Sequence, residues 1–70
     1  MDVYKMQAMI AGWADEVYPK RTPTALLAKM LEEIGELILN PGDPMEAADL
    51  AILVTDYFHL IHFDMEACMV

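Results

Sequence analysis

Apolar residues recur with helical spacing along three stretches of the chain, and proline and glycine punctuate the gaps. From Val3 to Tyr18, Met6, Met9, Ile10, Trp13 and Val17 follow a period of about 3.6 residues behind Asp2, a suitable N-cap. Pro19 stops this first helix, and Pro19-Lys20-Arg21-Thr22-Pro23 reads as a short basic linker. Thr22 as N-cap and Pro23 at the first helical position open a second helix, which continues to Leu39. Asn40-Pro41-Gly42 ends it. Asp43-Pro44-Met45-Glu46 repeats the cap-then-proline signal, with an acid where a capping box places one, and starts a third helix running to about His62. Asp64-Met65-Glu66 begins a fourth, which the chain cuts off at Val70. No strand pattern, repeat or low-complexity tract is present. Short connections between long helices predict antiparallel neighbours. The fold class is therefore all-α: an antiparallel helical hairpin plus an N-terminal helix, completed to a four-helix bundle by dimerisation.

Size sharpens this picture. Seventy residues make one small domain, residues 1–70, which buries only about 60% of its unfolded surface. Domains this small usually add disulfides, a metal or a partner. Cys68 is the sole cysteine, so an internal disulfide is excluded. At 57% hydrophobic residues the chain is richer in apolar side chains than so small an interior can hold. The surplus predicts an exposed apolar patch and an obligate homo-oligomer, a dimer or a tetramer.

Charge then narrows the partners. Twelve acids against four Lys and Arg give a net charge of −8. Nucleic acid and anionic membranes, which need basic patches, are excluded as partners. Asp56, His59 and His62 interrupt the longest apolar stretch, so no membrane span is expected. With no export signal and a lone cysteine, the expected location is cytoplasmic.

The acids of the second and third helices carry the chemical signal. On a wheel of about 100° per residue, Leu26, Leu27, Met30, Leu31, Ile34, Leu37 and Ile38 fill one arc of the second helix. Glu33 borders that arc, with Glu36 and Glu32 further out. The third helix is apolar almost all round, yet Glu46, Asp49 and Asp56 share an arc of roughly 80° with Leu53 and Leu60. Buried carboxylates are costly unless paired, neutralised or metal-bound. Lys29 is the only basic residue within either helix, so a divalent cation is the economical partner. In an antiparallel hairpin turning near Pro41, Glu36 lies level with Glu46, and Glu33 level with Asp49. Four carboxylates then meet near the turn. All-oxygen clusters of this kind suit Mg²⁺ or Mn²⁺. Taken alone, Glu32, Glu33 and Glu36 would read as a solvated helix face, and Glu46 as a capping acid.

Leu31-Glu32-Glu33-Ile34-Gly35-Glu36-Leu37 followed by Glu46-Ala47-Ala48-Asp49-Leu50 resembles the MazG-like, all-α nucleoside triphosphate pyrophosphohydrolases, whose hallmark is E-E-x-x-E followed by E-x-x-D on the next helix. Lys29 and Phe63-Asp64-Met65-Glu66 also fit the family. The string Glu46–Leu50 is equally close to phosphoribosyl-ATP pyrophosphatase, a related superfamily member. The resemblance covers about Ala25 to Ala67. It implies Mg²⁺ ligands at Glu33, Glu36, Glu46 and Asp49, with Glu32 as an auxiliary ligand or water-activating base; Glu32 and Glu33 are thus the catalytic candidates. The implied reaction cleaves a (d)NTP between its α and β phosphates to (d)NMP and pyrophosphate. Relatives continue with basic and amide residues that grip the phosphates, so the chain reads as truncated at its C-terminal end. Lys20, Arg21 or another subunit would then substitute. The alternatives are a non-catalytic helical oligomerisation module that keeps a metal-binding cluster, and an enzyme like phosphoribosyl-ATP pyrophosphatase.

Lys29, Trp13, Asp56 and Tyr57 are the candidate substrate-binding residues. Trp13 can stack on a base or, with Met9 and Val17, sit in the core; Tyr57 lies near the acidic arc and poses the same choice. Asp56 is either a substrate-contacting acid or a buried acid hydrogen-bonded across a dimer. His59 and His62 point away from the acids and read as interface or surface residues.

Overall fold

In the computed structural model, residues 2–69 are described. Met1 and Val70 lie outside them, and with them the expected end of the fourth helix at Val70. Four helices follow in order: α1 (Val3–Val17), α2 (Pro23–Leu39), α3 (Pro44–Leu60) and α4 (Met65–Cys68). Each start is capped by the side chain placed there in the sequence. Asp2 accepts from Lys5 N at 2.7 Å, Thr22 from Ala25 N at 3.2 Å, Asp43 from Met45 N at 2.9 Å and Asp64 from Glu66 N at 3.0 Å. These acceptors satisfy amide groups that a helix leaves unpaired at its first turn. The α2–α3 turn uses Gly42 at φ +88°, a left-handed conformation open to glycine. Helix α3 ends two residues before the expected His62, which adopts φ 64° and turns the chain toward α4.

Helix α3 is the floor of the fold. α2 and α1 both pack on it, α4 closes against α1 and α3, and among the described residues α1 and α2 do not pack on each other. Gln7 ties α1 to the α3–α4 connection: its Nε2 donates to Phe63 O at 2.9 Å and its Oε1 accepts from Met65 N at 2.8 Å.

The interior is small and unusually polar. Ala11, Ala14, Leu26, Met30 and Met65 are its buried apolar residues, together with buried Glu33, Thr55 and Asp56. Thr55 returns its hydroxyl to Ala51 O at 2.8 Å, which removes the cost of burying it. Among the described residues fourteen large apolar side chains remain exposed, and the accessible surface of 5025 Å² exceeds the roughly 4,400 Å² typical of this mass. The broad apolar arc of α2 therefore divides into two faces. Leu26 and Met30 turn inward. Leu27, Leu31, Ile34 and Ile38, spaced i, i+4, i+7 and i+11, form a separate exposed stripe. No described helix is long and apolar enough to cross a membrane.

Candidate metal centre and adjoining cleft

Pairing α2 with α3 through a four-residue turn brings their acids together. Glu33, Glu46 and Asp49 each offer a carboxylate oxygen within 4.8 Å of the others. Glu33 is 6% exposed, whereas Asp49 is open to solvent. Glu33 Oε2 and Glu46 Oε2 are buried without a hydrogen-bond partner. An ionised carboxylate offers only acceptors, so these two oxygens call for a proton or a cation. The carboxyl groups of Glu33 and Glu36, together with burial, push the Glu46 carboxyl up to about 8, a response to like charge crowded around one point. Glu36 thus acts on Glu46 although it stands outside the tight triplet. An all-oxygen, multiply charged donor set matches a hard divalent ion such as Mg²⁺ or Mn²⁺.

Lys29 sits beside the cluster, with Nζ 3.4 Å from Glu32 Oε2 and 3.7 Å from Glu33 Oε1. Glu32, and behind it Glu33 and Glu36, raise the Lys29 ammonium above its ordinary range. Glu32 is itself exposed and turned toward Lys29, and it is not part of the triplet.

A cleft of about 580 Å³ runs from this cluster toward α1. Glu33, Asp49 and Lys29 line it beside the cluster; Trp13, Tyr18, Arg21 and Asp56 line it too, with apolar residues including Ile10 and Ile52. Such a volume suits a small-molecule ligand. Trp13 does not join the core, as its spacing also allowed: it is 53% exposed and meets Tyr18 edge-on, with ring centroids 5.8 Å apart. Tyr57 is half-buried and does not line the cleft.

The scarcity of cations within the helices suggested that no basic side chain pairs the buried acids. For Asp56 the structure shows otherwise. Arg21, from the α1–α2 linker, donates Nε to Asp56 Oδ2 and Nη2 to Asp56 Oδ1 at 2.7 Å, all within one chain. The same Nη2 reaches Asp15 Oδ1 at 2.9 Å, and His59 Nε2 lies 3.1 Å from Asp15 Oδ2. His59 thus meets α1 through Asp15. The Arg21 guanidinium, and secondarily His59, hold the Asp15 carboxyl below its ordinary range. Arg21 is the residue that helical periodicity could not find. Its signal is indirect: a carboxylate on a buried face requires a cation, and the linker supplies one.

No protein-family model matches the chain. Among curated proteins it is 45% identical over 65 residues to a dATP/dGTP diphosphohydrolase of cyanophage S-2L, covering 90% of this chain and 62% of that protein. It is 38% identical over 61 residues to a dATP/dGTP diphosphohydrolase of Salmonella phage PMBT28, covering 86% of this chain and 21% of that protein. The chain therefore spans less than two thirds of the length of these relatives. Among solved structures, it superposes with a TM-score of 0.89 and 42% identity on the cyanophage S-2L MazG-like pyrophosphohydrolase bound to dGDP and three catalytic Mn²⁺ ions per active site. That match covers 99% of this chain and 70% of the other. With the paired acidic motifs on α2 and α3, the helical fold and this likeness, the chain belongs to the MazG-like pyrophosphohydrolase family.

Proposed function

We propose that the protein is a Mg²⁺- or Mn²⁺-dependent nucleotide pyrophosphohydrolase that converts a deoxynucleoside triphosphate, with purine bases as first candidates, to the monophosphate and pyrophosphate. One observation carries the reading: two buried, unpartnered carboxylate oxygens, Glu33 Oε2 and Glu46 Oε2, in an acid triplet that borders a nucleotide-sized cleft. The names of the relatives and the Mn²⁺ and dGDP of the solved neighbour support the metal and the substrate class.

Glu33, Glu36, Glu46 and Asp49 would hold the metal, which supplies charge neutralisation and lowers the pKa of bound water. Water attacks the α-phosphorus, the bond from that phosphorus to the α–β bridging oxygen breaks, and pyrophosphate leaves. The water's proton passes to a carboxylate. Glu33, which faces the cleft, is better placed for this than Glu32, which is turned to Lys29. Lys29 stands at the phosphate end. Trp13 offers its indole face to the base at the far end, where Asp56 also lies.

The working unit is a homo-oligomer, joined through the exposed Leu27, Leu31, Ile34 and Ile38 stripe. On the α2 wheel this stripe lies opposite the face bearing Lys29 and Glu36, so pairing two hairpins there leaves the cleft accessible. The four-helix bundle by dimerisation follows from that contact.

The test is product analysis by anion-exchange chromatography after incubation with dATP or dGTP and Mn²⁺. Equimolar monophosphate and pyrophosphate support the assignment; diphosphate plus phosphate, or unchanged nucleotide, overturns it.

A further inference from the structure

We propose that Arg21 is a positioning residue of the cleft, holding its aromatic wall in register with the acid cluster and so setting affinity for the nucleobase. The inference rests on the reading that the cleft binds nucleotides. The two walls of the cleft belong to α1 and α2, which among the described residues do not pack on each other; α2 is placed by docking on α3, α1 by docking on α3 and α4, and only the linker joins the two walls directly. Arg21 sits in that linker. Its guanidinium joins α3, through both oxygens of Asp56, to α1, through Asp15 Oδ1 and the Tyr18 carbonyl, which Nη1 reaches at 3.2 Å. The side chain is 7% exposed and that of Asp56 5%. Trp13 and Tyr18, the aromatic residues of the wall, flank Asp15 on the same helix end.

The same geometry argues against Arg21 as a phosphate grip. A guanidinium has about five N–H donors. The four hydrogen bonds described here commit most of them to the protein. What remains is orientation. A lysine could keep the charge but not the fork that spans two carboxylates and a carbonyl.

Isothermal titration calorimetry with Mn²⁺ present compares dGDP with inorganic pyrophosphate, which carries no base. In Arg21→Lys the dissociation constant for dGDP should rise at least about tenfold, while that for pyrophosphate stays within about twofold. Asp15→Asn alters a partner whose side chain is 54% exposed, and should weaken dGDP by a smaller factor, again sparing pyrophosphate. The proposal is overturned if dGDP binds both variants as it binds the parent, or if both ligands weaken together, the mark of a phosphate contact. A parent protein that binds neither ligand overturns the nucleotide reading itself, and this proposal with it.

Discussion

Replacing Leu31 by Lys should dissociate the proposed homo-oligomer, because Leu31 sits in the middle of the exposed α2 stripe. Leu27, Leu31, Ile34 and Ile38 are 48%, 72%, 42% and 74% exposed. Together they leave the equivalent of more than two full side chains open on one face. Burying a Leu or Ile fully contributes about 1.5–3 kcal/mol, so the stripe has roughly 4–7 kcal/mol per protomer to offer to a contact. Leu31 alone accounts for about 1–2 kcal/mol in each copy, and a two-fold symmetric contact counts it twice. Loss of about 2–4 kcal/mol raises the dissociation constant by roughly 30- to 1,000-fold, before the cost of desolvating two lysines is added. Sedimentation velocity over a wide concentration range measures the shift directly. Leu39→Lys is the control: Leu39 is 87% exposed but lies off the stripe, and its replacement should leave the mass unchanged. A Leu31→Lys variant that sediments as the parent does at every concentration, or a Leu39→Lys variant that dissociates equally, refutes the stripe as the contact.

Three further outcomes follow from the site and the turns. Asp49→Asn and Glu36→Gln should each lower turnover of dGTP at least about 100-fold with the helical circular dichroism unchanged, since both side chains are exposed and, in the proposed metal site, would carry charge to the ion rather than to the core. In metal-free protein the raised Glu46 pKa favours the protonated folded state; its contribution is complete below the ordinary carboxyl range and lost as pH rises through about 8. The Tm without metal should therefore fall between pH 5 and about 9 at fixed protein concentration, and Mn²⁺ should abolish that fall; a flat metal-free profile refutes the crowding. Gly42→Ala should cost about 1–2 kcal/mol through its positive φ, whereas Gly12→Ala, in open helical surroundings, should gain up to about 1 kcal/mol; thermal melts separate the two.

The helices were legible because their signals are local. Asp2, Thr22-Pro23, Asp43-Pro44 and Asp64 announce each start, and their side chains make the capping bonds that such residues are suited to make. The meeting of Glu33, Glu46 and Asp49 was legible for a related reason: a tight turn leaves an antiparallel pair little freedom of register, so equal distances from Pro41 become equal heights. Two things were hidden. Helical periodicity treats an apolar arc as one surface, so it could not divide α2 into a face turned to α3 and a face turned outward. The Arg21–Asp56 pair joins residues 35 apart through an aperiodic linker, where only the three-dimensional path of the chain decides which acid the guanidinium meets. The placement of Trp13 depended on the same path. Its spacing fits core and cleft alike, and the gap between α1 and α2 decided between them.

The most direct test of the account is anomalous scattering from crystals grown with Mn²⁺. Density for manganese bounded by the carboxylates of Glu33, Glu46 and Asp49, with Glu36 drawn in, is the predicted result. Ordered side chains in the same crystals with no anomalous peak among them would contradict it.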